Sequence, residues 1–371
     1  MEKPVRSSIP GRAALVKALA AGVALFVGAL FLPATGSAFQ TITFEPTGFG
    51  ENQYLVIHGD KGKTSDLVTI AFDPKTMEYV ITHDVLDPLP PGCRAVGSGP
   101  PYKEVRCFGL LITRVFVYLG TGADKVISHF TAGSLQAPPP IEAQLGSGND
   151  SFTGGDEDDD VEDDEGDDQA DLGEGNNSAD MGSGNDKVTA GDGANQVNAG
   201  DGHNKVTLGD GANSVTIGAG NSVVTVGGGA NTAIFGVGNS VFNGGGGPDS
   251  ATFAAGNGIF SGGGGDDKAV FGSGINQFFG GAGNDSARLG AGNDKFNGGA
   301  DDDKGKLGAG RDVAFGGAGI DSLFGGPSAD KLFGGPDFDF LFGGAGKPDH
   351  CLGGPDGARP FGCEIGYQYG P

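Results

Sequence analysis

The sequence predicts an all-β protein wound in short, regular coils, and three observations carry that expectation. Glycine supplies 75 of 371 residues, about one in five against a usual share of roughly 7%. From Leu145 to Cys351 the chain repeats every nine residues. From residue 235 large and small apolar residues trade places at each unit, so the pattern recurs every eighteen.

The nine-residue period runs LGSGNDSFT, GGDEDDDVE, DDEGDDQAD, LGEGNNSAD, MGSGNDKVT and onward to GGPDFDFLF and GGAGKPDHC. Residues 145–351 divide into 23 such units in one phase. Glycine dominates positions 2 and 4, Asp or Asn position 6, and an apolar residue position 8. Positions 1–6 therefore read as a turn that needs positive φ and close backbone approach. Positions 7–9, rich in Val, Thr and Phe, read as a short strand. Side chains alternate along a strand, so position 8 and position 1 of the next unit share a face. That face is expected to be the interior. From residue 235 the interior pairs swap size, Phe242/Gly244 against Ala251/Phe253, then Phe260/Gly262 against Ala269/Phe271. The unit is thus an 18-residue coil of two strands and two turns, with bulk on one strand facing space on the other.

This pattern resembles the hemolysin-type calcium-binding repeat of the RTX family, G-G-x-G-x-D-x-U-x, over more than half the chain. The resemblance implies a right-handed parallel β-roll, a β-solenoid of 18-residue coils. It also implies several Ca2+ ions as cofactors, held between coils by the position-6 Asp and turn carbonyls. Hard oxygen ligands suit a hard cation. One column of position-6 residues reads Asp150, Asp168, Asp186, Asn204, Ser222, Ser240, Gly258, Asn276, Asp294, Asp312 and Asp330. The other reads Asp159, Asn177, Asn195, Asn213, Asn231, Asp249, Asp267, Asp285, Asp303, Asp321 and Asp339. The aspartates are the expected metal ligands. Asn and Ser offer no charge, so the middle of the roll is expected to be poor in calcium, with its asparagines stacked in a hydrogen-bonded ladder. Residues 156–171, DEDDDVEDDEGDDQAD, keep the phase but lack the glycines. They are either a solvated acidic linker or a calcium-crowded coil, and the phase favours the coil.

The first 38 residues read as a signal peptide. Lys3, Arg6, Arg12 and Lys17 precede an apolar run from Ala18 to Leu32, and Gly36-Ser37-Ala38 offers a cleavage site after Ala38. A secreted or cell-surface protein with no membrane span after cleavage is expected. Residues 39–140 read as a β-rich N-terminal cap domain, with strands at 40–45, 54–58, 67–72, 78–83, 103–107 and 111–119. The segment from Gly120 to Ile127 is a lone degenerate repeat out of register with the main array. The calcium-binding roll is placed at 145–351 and a C-terminal disulfide cap at 352–371. Short spacing in an exported chain pairs Cys93 with Cys107 and Cys351 with Cys363.

The net charge of −24 argues against nucleic acid, whose binders present a basic face. G-x-S-x-G and H-E-x-x-H are both missing from the sequence. The expected protein is a non-enzymatic calcium binder with a structural or adhesive role, whose partner is a cell-surface or extracellular ligand. Two other readings compete: an ice- or surface-binding solenoid, and an enzyme with a site in residues 39–140. Against the first, the array carries no Thr row at position 3 and only a short ladder of Thr189, Thr207 and Thr225 at position 9.

Overall fold

Strand pairing in the computed structural model follows the 18-residue period. The structure describes residues 41–46, 53–59, 65–73, 78–85, 89, 93–97, 102–108, 112–129 and 139–367. Residues 1–38, the expected signal peptide, lie outside them. Among the described residues there is no helix, and none long and apolar enough to cross a membrane.

Two parallel sheets form a β-solenoid, each coil giving one strand to each sheet. Phe242 pairs with Phe260 and Phe260 with Phe278 on one sheet, while Ala251 pairs with Ala269 and Ala269 with Ala287 on the other. The register advances by eighteen residues at each step between Glu142 and Phe342. Position 8 is buried from Phe152 to Leu341, and the position 1 that follows is buried or half-buried, so the two faces enclose a thin apolar core. Phe242, Phe260, Phe278 and Phe296 stack in one column with ring centroids 5.1–5.2 Å apart. Phe235, Phe253 and Phe271 stack opposite at 4.6–4.7 Å. These spacings match the distance between paired strands, about 4.8 Å. Where Phe296 fills one side, Gly305 faces it, and a methyl at Gly305 would sit 3.1 Å from the ring. The alternation of bulk and space is therefore a packing requirement.

The turns depend on position 4. Gly202 has φ +135°, and a side chain there would also collide with the carbonyl of Gly184 one coil below. Glycine is the only residue free of both penalties.

The acidic run is not a linker. Asp160–Glu162 pairs in parallel with Ile141–Gln144 on one side and Ser178–Asp180 on the other. Two features of the period need correction. The segment from Gly120 to Ile127 is not out of register in space: Lys125–His129 pairs in parallel with Ser151–Gly155. The nine-residue phase also slips by one residue at Pro348, since Leu332 pairs with Cys351 rather than His350. The last unit is a ten-residue turn and strand.

Strands of the N-terminal segment share both sheets with the roll. Gln53–His58 and Ile112–Tyr118 extend one sheet in parallel, and Leu67–Asp73 and Lys125–His129 extend the other. Beyond them the pairing turns antiparallel: Glu78–Val85, Tyr102–Phe108 and Cys93–Val96 continue from Leu67–Asp73. Thr41–Pro46 runs antiparallel along Gln53–His58. The strands Cys93–Val96 and Lys125–His129 were not anticipated from sequence. Cys93 and Cys107 face each other across one antiparallel pair and are bonded, as are Cys351 and Cys363.

Candidate metal centre

From Asp150 to Asp339 the position-6 side chains turn inward, and those of Asp and Asn are at most 3% exposed. The cause is a backbone donor that the parallel ladder leaves over at each turn. The N–H of Asp267 donates to Oδ1 of Asp285 at 2.8 Å, Asp285 N–H to Asp303 Oδ1 at 2.8 Å, and Asp303 N–H to Asp321 Oδ1 at 2.8 Å. The other column does the same. Asn276 N–H donates to Asp294 Oδ1 at 2.7 Å, and Asp294 N–H to Asp312 Oδ1 at 2.7 Å. One side-chain oxygen per turn is thus committed to the coil before it.

The second side-chain atom separates Asn from Asp. In the central coils the amide nitrogen donates into its own turn. Asn195 Nδ2 donates to the carbonyls of Gly191 (3.2 Å) and Gly193 (3.3 Å), and Asn213 Nδ2 to Gly209 (3.0 Å) and Gly211 (3.3 Å). It donates also to Oδ1 of the next residue in the column, Asn195 to Asn213 and Asn213 to Asn231. The expected asparagine ladder is present. An ionised aspartate has no proton to give. Oδ2 is buried without a hydrogen-bond partner at Asp150, Asp168, Asp186, Asp267, Asp285, Asp294, Asp303, Asp312, Asp321, Asp330 and Asp339. At Asp159 and Asp249 it accepts a glycine N–H instead, at 3.2 and 3.3 Å. Glycine at position 1 leaves room for this oxygen: a methyl at Gly298 would collide with Oδ2 of Asp303, and one at Gly316 with Oδ2 of Asp321. A buried carboxylate oxygen without a hydrogen-bond partner offers a hard, negatively charged ligand. Calcium, with six to eight oxygen ligands at 2.3–2.6 Å, fits that chemistry.

The comparison with known families agrees. A family model described as the RTX calcium-binding nonapeptide repeat (4 copies) matches residues 145–179, 182–215, 271–304, 308–341 and 324–347. Those stretches are similar to RTX calcium-binding nonapeptide repeats. No curated protein matches it. The segment that the repeat model passes over, 216–270, keeps Asp249 and Asp267 but holds Ser222, Asn231, Ser240 and Gly258 at its other position-6 places, where the RTX carboxylate is replaced.

The structure brings all thirteen expected aspartates of the RTX repeats into the two columns, and it adds residues that sequence reasoning missed. Asp124 accepts the N–H of Asp66 at 2.7 Å and donates its own to Asp150 Oδ1 at 2.6 Å, so it continues the first column. Its signal was the internal spacing Gly120, Gly122, Asp124, Val126. Asp349 extends that column, accepting the N–H of Asp330 at 2.9 Å and donating its own to Glu364 Oε2 at 2.9 Å. A proline at the expected position 6 with Asp beside it was the signal there. Both have an unpartnered Oδ2.

Burial pushes the carboxyl groups of Asp267, Asp303, Asp312 and Asp321 upward, and neighbouring carboxylates add to the shift. Asp303 rises to about 8, while Asp267, Asp312 and Asp321 rise to about 7, although the donated N–H groups oppose the change. Unfolded aspartate titrates near 3.9. A folded value above the unfolded one means that stability is greatest when the group is protonated and is lost as pH rises through the folded value. In chelator, the unfolding temperature should therefore fall as pH rises from about 4 to about 8. With excess calcium the trend should reverse, because the ligands must be deprotonated to bind. Thermal scans at several pH values check this, and a chelated protein indifferent to pH would contradict it.

Proposed function

We propose that the protein is an exported, non-catalytic rod whose RTX turns are held together by calcium, and that it acts as a structural or adhesive element at the cell surface or outside it. The observation that carries the calcium assignment is the exchange at position 6. Where the residue is Asn, as at Asn195 and Asn213, its amide nitrogen bridges the turn carbonyls; where it is Asp, at every position except Asp159 and Asp249, the second oxygen is buried without a hydrogen-bond partner. A cation between Asp Oδ2 and the carbonyls does for the outer coils what the amide proton does for the central ones. The proposed ligands are the thirteen aspartates named from sequence, with Asp124 and Asp349. Export is supported by the N-terminal sequence and by two disulfides.

The substitution Asp303→Asn tests the assignment because its two effects have opposite signs. Without calcium it should raise stability, since Nδ2 gains the turn carbonyls and a buried carboxylate is removed. An unsatisfied buried polar group costs on the order of 1–3 kcal/mol. With calcium it should lose one site, on the order of 1.4–2.7 kcal/mol at 10 to 100 times the dissociation constant. Unfolding temperatures of the variant and the parent, each in chelator and in calcium, give the four values needed. If Asp303→Asn leaves the calcium-induced gain unchanged, the position-6 carboxylates are not the ligands. The adhesive role is tested separately, by release of the protein from native cell surfaces on chelation.

A further inference from the structure

One aspartate in the N-terminal coils belongs to neither column. Asp163 stands at position 1, where every other unit between 145 and 351 has glycine or an apolar residue. Its side chain therefore points into the core. The residues one coil away in the same place are Leu145 and Met181, both fully buried. The coils are in register there, with Leu145 N–H donating to Glu162 O and Asp163 N–H to Asp180 O. Asp163 is 7% exposed. Its Oδ1 accepts the N–H of Asp164 at 3.0 Å, and its Oδ2 has no hydrogen-bond partner. No ion pair reaches it among the described residues.

The carboxyl of Asp163 lies against two column residues. One carboxylate oxygen from each of Asp150, Asp163 and Asp168 falls within 4.8 Å of the other two. Two oxygens bound to one calcium at 2.3–2.6 Å cannot be more than about 5 Å apart, a limit that each pair among the three meets. Asp150 and Asp168 each keep an Oδ2 without a partner. Among the described residues, no cationic side chain pairs with any of the three.

We propose that Asp163, with Asp150 and Asp168, forms an interior calcium site that the nonapeptide pattern does not contain. It deepens the calcium reading above and rests on it. Three carboxylates meet in one buried place, whereas the other turns offer one carboxylate per coil and column. The site is therefore the tightest in the chain. It also anchors the coils in which Asp164 and Glu157 replace turn glycines. The ion takes the place of an apolar side chain in this one layer of the core.

Calcium titration of the full chain by calorimetry at pH 7.5 tests the proposal, with Asp163→Leu, Asp163→Asn and Asp303→Asn beside the parent. Leucine matches the column that Asp163 interrupts, and asparagine keeps the shape while removing the charge. The parent should show one class of sites at least tenfold tighter than the rest. That class should disappear in Asp163→Leu, weaken at least tenfold in Asp163→Asn, and persist in Asp303→Asn. If Asp163→Leu does not fold, as judged by circular dichroism, the asparagine variant decides alone. An Asp163 variant whose isotherm superimposes on that of the parent overturns the interior site and leaves the columns standing. A parent chain that takes up no calcium overturns both readings.

Discussion

Chelating calcium from the full chain should expose the backbone amides of residues 249–349 and 145–186 while the coils between, 195–240, keep their protection. The outer blocks carry carboxylates whose second oxygen has no partner, including Asp267, Asp285, Asp303, Asp321 and Asp339 in one column. Without a cation these buried charges repel one another one coil apart, and burial has already raised their proton affinity. At about ten times the dissociation constant, each bound ion contributes roughly 1.4 kcal/mol. About ten such sites contribute as much as the whole stability of an ordinary domain, roughly 5–15 kcal/mol. The central coils should not depend on the ion, because Asn177, Asn195, Asn213 and Asn231 donate to their own turn carbonyls. Their interior is also well filled, by Val197, Val206, Val215, Ile217 and Val224. Coils in a solenoid couple chiefly to their neighbours, so a folded centre between melted ends is physically allowed. Hydrogen exchange read by mass spectrometry, in calcium and in chelator, maps the result to segments. Uniform loss along 145–349 would show that position 6 does not set where calcium matters.

Replacing Phe260 by alanine should be the most damaging single change in the core. The ring is fully buried and stacked on both sides, 5.2 Å from Phe242 and 5.2 Å from Phe278. Removal leaves a cavity between two rings that strand pairing holds at fixed separation, so the walls cannot close over it. Phe-to-Ala changes at such sites cost about 3–5 kcal/mol. Phe315 gives the internal comparison. It stacks on Phe333 at 4.8 Å but on the outer face, where it is 40% exposed. Phe315→Ala should cost about 1 kcal/mol or less, in line with other surface changes. Denaturant unfolding in saturating calcium measures both. Equal losses for the two variants would mean that the interior column is not the packed core.

The period alone determined most of the architecture, because a nine-residue unit leaves strand side chains only two faces to choose between. Once Phe242, Phe260, Phe278 and Phe296 recur every eighteen residues, stacking at one strand spacing follows, and so do two columns of position-6 residues. Four matters were decided only in three dimensions. Asp124 joins the column 26 residues before Asp150, and Asp349 joins it 19 residues after Asp330. Hydrogen bonding fixes position along the stack, whereas a sequence ruler counts every residue between one coil and the next. The acidic run of 156–171 forms a coil because its strand residues find partners on both sides, which its composition could not reveal. Asp163 is buried because position 1 faces inward whatever residue occupies it. What the second side-chain atom of position 6 meets was also decided in three dimensions. The N–H of the preceding coil claims the first oxygen, which leaves the amide nitrogen of Asn195 and Asn213 on the turn carbonyls and Oδ2 of Asp285 and Asp303 buried without a partner.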